Sequence, residues 1–384
     1  MIYFDNSATT LIKPESVCRA FSGALCDYSA NPGRSGHRLS VKTAEAVYSA
    51  REKICGFFGA GDPAKTVFTA NCTQALNMVI KGILTPGDHC IVSSMEHNAV
   101  MRPLHAMSKR GVEYDAAPVM PGDASATAAA FESLIKPNTR LIVCTHASNV
   151  WGVRMPIERL GKMCRSRGIL FAVDAAQSAG VLPINMRDMD IDFLCVAPHK
   201  GLYSPAGTGI LLSNCDVGLA TIIEGGTGTF SSSLEQPADM PERLESGTIN
   251  TPGILACAAG VDFVKEMTTA RIHSYEMSLI QRLYVELGNI DGVELYTDYP
   301  TEESSVAVLS FNINGLPSET AAEKLSDAGF AVRAGLHCAP AAHRHMGTED
   351  NGAVRVSVSI YNSMSEIMQL VRKIEELSIK SKPA

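Results

Sequence analysis

A lysine follows a short apolar run near the middle of this 384-residue sequence. Residues 193–197 (Phe-Leu-Cys-Val-Ala) predict a buried strand, and Pro198, His199 and Lys200 lead from it into a segment rich in glycine and proline. A free lysine amine has a pKa of about 10.4 and is a poor nucleophile, but burial or a nearby cation favours its neutral, reactive form. Lys200 therefore suits Schiff-base chemistry, and the alternative is a solvated loop lysine.

A second apolar run ends in a carboxylate. Residues 169–173 predict another strand, Asp174 follows it, and Gln177 comes three positions later. In enzymes that use pyridoxal 5′-phosphate (PLP), an acid at a strand end pairs with the pyridine nitrogen, so that the ring can accept electrons. Asp174 suits that role, and Gln177 is able to donate to the ring oxygen. Taken singly, an aspartate at a strand end is more often a helix N-cap.

Other polar residues also follow predicted strands. Thr73 lies in a polar turn that opens a helix, whose free N–H groups suit a phosphate, and His97 and Asn149 each follow a strand end. Their ordinary explanations are a helix cap, a structural histidine and a turn residue. Strands that alternate with helices predict a mostly parallel sheet, in which ligands bind beyond the carboxyl ends of the strands. These side chains are therefore expected at one edge of the sheet.

Two residues near the C-terminus indicate substrate chemistry. Arg355 interrupts a run of valines, and its planar fork suits bidentate binding of a carboxylate. Cys338 lies in a loop bounded by glycine and proline, next to His337 and near Arg333 and the basic residues 343–345. Cationic neighbours and exposure lower the pKa of a thiol and so favour the thiolate. The alternative for Cys338 is an incidental loop cysteine.

Three motifs together carry a family resemblance: Asp-Ala-Ala-Gln at 174–177, His199-Lys200, and Arg-Ala-Gly-Leu-His-Cys-Ala at 333–339. They resemble the fold-type I PLP enzymes of the class V aminotransferase group and, within it, the cysteine desulfurase and selenocysteine lyase family. The resemblance covers nearly the whole chain. It implies an α/β transferase fold with a mostly parallel sheet flanked by helices. A large PLP-binding domain is expected over residues 14–252, and a smaller α+β domain with the catalytic cysteine loop over residues 1–13 and 253–384.

The resemblance also implies a role for each candidate residue. The implied catalytic residues are Lys200, Cys338 and His97. The implied cofactor contacts are Cys72, Thr73, His97, Asn149, Asp174, Gln177, His199, Lys200 and Thr248. The implied substrate contacts are Arg355, Asn149, Arg333, Asn31 and His37, with Arg34 in the same loop as the last two. Thr248 would reach the phosphate bound by a neighbouring subunit, which implies a homodimer with the active site at its interface. No metal is expected.

The reaction that the resemblance implies is conversion of L-cysteine to L-alanine, with the sulfur held as a persulfide on Cys338 for transfer to an acceptor protein or thiol. The residues do not discriminate sulfur from selenium, so a selenocysteine lyase that forms L-alanine and selenide is an alternative. Another class V aminotransferase or lyase, or a PLP-fold binding protein without turnover, is a further alternative. The acceptor and the pathway are left open between iron–sulfur cluster assembly, tRNA thiolation and selenium metabolism.

Composition and charge narrow the class of protein. The chain is 46% hydrophobic and 19% charged, as for a globular enzyme, and its net charge of −7 argues against nucleic acid as a partner. No apolar run approaches the roughly 20 residues of a membrane span, and the first residues lack a signal-peptide pattern, so a cytoplasmic location is expected. Eleven cysteines without a Cys-x-x-Cys pair predict reduced thiols.

Overall fold

The computed structural model describes residues 1–33 and 35–381, and Arg34 lies outside the described residues. The strands are β1 (Ile2–Tyr3), β2 (Thr66–Thr69), β3 (His89–Ser93), β4 (Glu113–Ala117), β5 (Thr139–Thr145), β6 (Leu170–Asp174), β7 (Phe193–Val196), β8 (Gly209–Ser213), β9 (Val293–Leu295), β10 (Val308–Ile313), β11 (Phe330–Ala331) and β12 (Val354–Ser357). The helices are α1 (Glu15–Asp27), α2 (Arg38–Phe57), α3 (Cys72–Ile83), α4 (Asn98–Ser108), α5 (Ala124–Ser133), α6 (Ile157–Arg167), α7 (Thr251–Met267), α8 (Thr269–Gly288), α9 (Ser318–Asp327), α10 (Pro340–His345) and α11 (Met364–Ser381).

A seven-stranded sheet has the order β2-β8-β7-β6-β5-β3-β4. Its neighbouring strands run parallel, except that β8 is antiparallel to both β2 and β7. Strands β3, β6 and β7 are buried along their whole length, because helices cover both faces of the sheet and apolar side chains point to each face. The prediction of a mostly parallel sheet flanked by helices is confirmed.

Helices form an apolar layer on each face of this sheet. One layer includes Ile54 of α2, Leu160 of α6 and Val261 of α7, and the opposite layer includes Leu76 of α3 and Val100 of α4. Each helix places its apolar residues on the side that faces the sheet, and these side chains cover both faces of the sheet. The loops that follow the parallel strands gather at one edge of the sheet.

A smaller antiparallel sheet, in the order β12-β10-β9, packs with α8, α9 and α11 around a third apolar cluster that includes Phe4 and Phe311. β1 pairs in parallel with β11, and Asp5 forms a bridge to Ser357 at the end of β12. The first residues of the chain therefore lie among its C-terminal elements. The predicted domain boundaries stay a prediction.

Three further properties bear on function. Within the described ranges 1–33 and 35–381, no helix combines the length and the apolar character that a membrane span requires. Within those same ranges, no three His, Cys, Asp or Glu side chains are grouped so as to bind a metal ion. All eleven cysteines are free thiols.

Candidate active site

A cavity of about 230 Å³ opens at the carboxyl edge of the large sheet. Most of the residues that the sequence assigns to a site line it. These residues are Cys72, Thr73, His97, Asn149, Asp174, Gln177, His199, Lys200, Arg333 and Arg355. The parallel strands end at this edge, so the residues that follow β2, β3, β5, β6 and β7 converge there.

Asp174 lies at the floor of the cavity. It is the last residue of β6, where it pairs with Thr145 of β5 on one side and Cys195 of β7 on the other. Its Oδ1 atom accepts the N–H of Ala176 at 2.9 Å and lies 3.6 Å from the thiol of Cys72. The carboxylate therefore belongs to a strand end and a tight turn, and it does not cap a helix.

Lys200 follows β7, the neighbour of β6 in the sheet, and it lines the same cavity as Asp174. Burial lowers the pKa of its amine, and the Asp174 carboxylate and Cys72 oppose that shift. The positive charges of Arg355 and Arg333 add to the lowering. Lys200 is therefore not a solvated surface cation, and a lysine whose charged form is disfavoured is suited to act as a nucleophile or a base.

His97 is held in one orientation by the helix that it begins. As the N-cap of α4, its Nδ1 atom accepts the N–H of Ala99 at 3.0 Å. Burial lowers the pKa of the ring, with Asp174 opposing and Lys200 adding to the shift. Because Nδ1 is an acceptor, the neutral ring carries its proton on Nε2.

The first turn of α3 presents backbone donors to the cavity. Asn71 caps the helix by accepting the N–H of Gln74 at 2.9 Å, and Cys72 and Thr73 follow. The N–H groups of a first turn have no acceptor inside the helix, and the helix dipole makes this end positive. Thr73 is exposed to the cavity, whereas the Cys72 thiol is buried against Asp174, and burial raises its pKa well above the usual value.

Arg355 comes from the valine-rich strand β12 and is 1% exposed. Its Nη1 atom donates to the backbone oxygen of Asn149 at 2.8 Å, and its Nη2 atom donates to Oδ1 of Asp5 at 2.5 Å. The Nε atom is buried and has no hydrogen-bond partner. Arg355 lines the cavity, and a guanidinium held in this way is suited to bind an incoming carboxylate.

Asp5 is a site residue that the sequence did not predict. It accepts a hydrogen bond from Nη2 of Arg355 and so orients that side chain. No local sequence pattern marks Asp5 as a site residue, because its partner Arg355 lies on a strand that is distant in sequence. Gln177 also uses this segment, since its side-chain amide donates to the backbone oxygen of Ser7 at 3.1 Å.

The thiol of Cys338 lies beside the cavity. The residue is exposed, it follows the cavity-lining His337, and its sulfur lies 3.8 Å from Nη2 of Arg333. Arg333 in turn pairs through its backbone with Arg355. The loop thus brings a thiol and a cation to the rim of the site.

Of the other basic residues that the sequence places near this thiol, His343 contacts the loop through His337, whereas Arg344 and His345 have partners elsewhere. Arg344 pairs with Glu349 at 2.6 Å, and His345 lies 2.7 Å from the backbone oxygen of Val119. His343 is fully buried. Their proximity in sequence did not indicate where helix α10 would point them.

Three predicted contacts lie outside this cavity in the single chain. The side-chain nitrogen of Asn31 is 3.4 Å from Oγ1 of Thr248, and both residues are exposed. His37 is the exposed N-cap of α2 and accepts the N–H of Ser40 at 3.2 Å. Their predicted roles stay predictions.

A profile of the family described as Aminotransferase class-V matches residues 2–370. The chain belongs to this family. A probable cysteine desulfurase of Methanothermobacter thermautotrophicus is 33% identical to this class-V family member over 98% of the chain and 94% of that protein. Lys200, Asp174 and Arg355 thus lie in a chain that matches the family over nearly its whole length.

Two solved structures resemble this class-V family member. The apo structure of the cysteine desulfurase from Thermococcus onnurineus is similar with a TM-score of 0.91 and 31% identity, over 99% of this chain and 95% of that one. The cysteine desulfurase CsdA from Escherichia coli is similar with a TM-score of 0.87 and 27% identity, over 98% of this chain and 94% of that one. The α/β fold-type I prediction is confirmed.

Proposed function

We propose that this class-V family member is a PLP-dependent cysteine desulfurase, which converts L-cysteine to L-alanine and holds the sulfur as a persulfide on Cys338. One observation carries the proposal. A half-buried lysine and a carboxylate line one cavity, and an exposed thiol lies next to that cavity, 3.8 Å from an arginine. The cysteine desulfurases among its relatives support the same activity.

The residues of the cavity fit PLP. Lys200 offers the amine for its aldehyde, Asp174 offers the carboxylate for its pyridine nitrogen, and the first turn of α3 offers N–H groups for its phosphate. His97 lines the same cavity and is able to cover the ring. When bound, PLP supplies an electron sink that makes the Cα hydrogen of an amino acid acidic.

The protein's own side chains bind the substrate and move its protons. Arg355, which lines the cavity, holds the substrate carboxylate through its guanidinium group. Lys200, whose pKa is lowered, accepts the Cα proton as a neutral amine. His97 carries a proton on Nε2 and is positioned by α4 to donate it.

The sulfur step needs no external oxidant or reductant. The Cys338 thiolate attacks the substrate sulfur, an S–S bond forms, and the bond between Cβ and sulfur breaks with its electron pair left on carbon. That carbon takes up a proton and becomes the methyl group of alanine. The net result transfers one sulfur atom to Cys338, which then passes it to an acceptor protein or thiol.

We also propose that the protein is a homodimer, in which Asn31, His37 and Thr248 of one chain lie close to the cavity of the other. Asn31 and Thr248 contact each other on the exposed surface, beside a groove that also includes Tyr48 and Thr229. These exposed polar groups are suited to the entrance of a neighbouring site.

The test measures alanine release from L-cysteine by the PLP-loaded protein and by Cys338→Ala, with PLP binding confirmed by absorption. We expect Cys338→Ala to bind PLP normally and to lose at least about 100-fold in alanine release, because the sulfur acceptor is missing. Cys26→Ala, which removes an exposed thiol of α1, is the matched control and should retain full activity.

Two results contradict the proposal. Full alanine release by Cys338→Ala would show that the reaction needs no protein thiol and would indicate another class V lyase. Release of alanine from L-selenocysteine but not from L-cysteine, measured in parallel, would identify a selenocysteine lyase instead.

A further inference from the structure

The backbone around the exposed thiol has an unusual conformation. His337 and Cys338 both have positive φ angles, of 52° and 56°. Residues with a β-carbon seldom adopt this left-handed region, and each such residue costs on the order of 1–3 kcal/mol unless its surroundings hold it there. Two in succession therefore require strong local contacts.

Two backbone contacts tie this loop to the active site. The oxygen of His337 accepts a hydrogen bond from the side-chain nitrogen of Asn149 at 2.9 Å. The oxygen of Cys338 accepts one from the N–H of Asn98, the first residue of α4, at 2.7 Å. The thiol is thus anchored to the elements that carry Asn149 and His97.

A third contact is made by side chains beneath the loop. His337 is 3% exposed, and its Nδ1 atom lies 3.3 Å from Nε2 of His343. The two rings are nearly parallel, at 11°. His343 is completely buried, and its Nδ1 atom lies 2.8 Å from Oγ1 of Thr348. Trp151 packs on the other side of His343, with ring centroids 5.2 Å apart.

These imidazoles are neutral. Burial lowers the pKa of His337 to about 2, and that of His343 to about 4. A neutral imidazole has one donor and one acceptor nitrogen, so one ring donates to the other. Their role is therefore a directed hydrogen bond and not a charge beside the thiol.

We infer that His343 is a positioning residue for Cys338: it fixes the ring of His337, and His337 in turn holds the left-handed backbone that directs the thiol toward the substrate sulfur. This inference rests on the proposed function. His343 itself does not touch the cavity. Its loss would affect the sulfur step and leave removal of the Cα proton by Lys200 intact.

The test compares His343→Phe, which keeps a ring but no hydrogen bond, with His343→Gln, whose amide can still bond to His337. The control is His345→Phe on the same helix, because that ring contacts the backbone oxygen of Val119 and not the loop. Two rates are measured on each PLP-loaded variant. They are alanine release from L-cysteine, and exchange of the Cα hydrogen of L-alanine with deuterium from solvent.

We expect His343→Phe to lower alanine release about 100-fold, since a displacement of about 1 Å has that effect, while Cα exchange stays within about twofold of wild type. Alanine release by His343→Gln should be at least about tenfold faster than that by His343→Phe, and His345→Phe should release alanine at the wild-type rate. A general structural role would lower both rates together, which would overturn the inference. Alanine release within about twofold of wild type in His343→Phe would also overturn it.

A second measurement separates this inference from the proposed function. The rate at which iodoacetamide alkylates Cys338 is compared with that of the exposed Cys26 in the same sample, by mass spectrometry. If wild-type protein releases no alanine from L-cysteine, the proposed function fails, but this ratio still reports on the loop. A change of at least about threefold in His343→Phe supports the positioning role, and an unchanged ratio in that variant contradicts it. If His343→Phe does not fold, the same ratio is measured in His343→Ala, which also lacks the bond to His337.

Discussion

Arg355 is a buried cation whose side chain the protein holds in one orientation. Burial lowers the pKa of its guanidinium, and Asp5 opposes that shift. Asp5 and the backbone oxygen of Asn149 hold the two terminal nitrogens, so the side chain is oriented before a substrate arrives. An arginine that is already ordered loses little conformational freedom when it binds a carboxylate.

Asp5→Asn tests this arrangement. The amide keeps the size of the side chain but removes the charge that compensates Arg355, so we expect the KM for L-cysteine to rise about tenfold with kcat within about twofold. Steady-state alanine release as a function of cysteine concentration measures both constants. Asp188→Asn, at an exposed position, is the control and should match wild type. A KM that is unchanged or lower would contradict the positioning of Arg355 by Asp5.

At the level of single residues, the sequence predicts best those site residues whose position depends on a single strand end. Thr73, His97 and Asp174 reach the cavity because each follows the carboxyl end of a parallel strand. Asp5 could not be predicted, because its contact with Arg355 spans 350 positions and follows from pairing within the smaller sheet region. The sequence assigned Cys72 to the cofactor, but its inward orientation at the start of α3 places its thiol against Asp174.

Among the elements, the antiparallel strand β8 supports the helix end that we assign to the phosphate. Its first residue, Gly209, pairs with Thr69 at the end of β2. A β-carbon at Gly209 would overlap the backbone of Asn71, the residue that caps α3. The close approach of β8 therefore fixes where the first turn of α3 lies.

Gly209→Ala should displace that turn. Forcing a methyl group into a packed site costs about 1–3 kcal/mol, so we expect at least about a tenfold loss of PLP affinity. Titration of PLP into cofactor-free protein, followed by absorption, measures it. Gly218→Ala is the matched control, since no atom lies within 4 Å of the added β-carbon. Equal affinities for the two variants would argue against a phosphate site at α3.

At the same level, sequence prediction depends on how long and how regular a pattern is. The sequence predicts long helices over residues 252–267 and 271–287, within one or two residues of the observed starts of α7 and α8, because their apolar periodicity extends over several turns. The sequence predicts a turn over residues 71–74 and a helix from Ala75, but helix α3 already begins at Cys72, because Asn71 caps it. β8 was not predicted, since the short run Ile210-Leu211-Leu212 is compatible with either a strand or a helix.

At the scale of the whole molecule, several large apolar side chains are exposed on the surface of the single chain. Leu39 and Tyr48 of α2 are 64% and 51% exposed, and Phe230 is 64% exposed. Exposed apolar surface of this kind marks an interaction site when it is contiguous. Tyr48 lines the groove next to Asn31, where the proposed dimer would place the neighbouring cavity.

We therefore expect sedimentation to give twice the chain mass at micromolar concentration, and Leu39→Glu to shift the protein toward monomer. Because the interface would complete each cavity, alanine release should fall in parallel with the dimer fraction. Ile379→Glu, at an exposed apolar position of α11, is the control and should leave the dimer intact. A wild-type protein that sediments as a monomer at all concentrations would disprove the dimer.

The contact between Asp5 and Arg355 also bears on protein synthesis. Asp174 and Lys200 leave the ribosome well before Arg355, and N-terminal regions generally fold first during synthesis. A nascent chain thus has Lys200 and Asp174 well before Arg355, so the contact between Asp5 and Arg355, and the cavity that Arg355 lines, form only after most of the chain has been made.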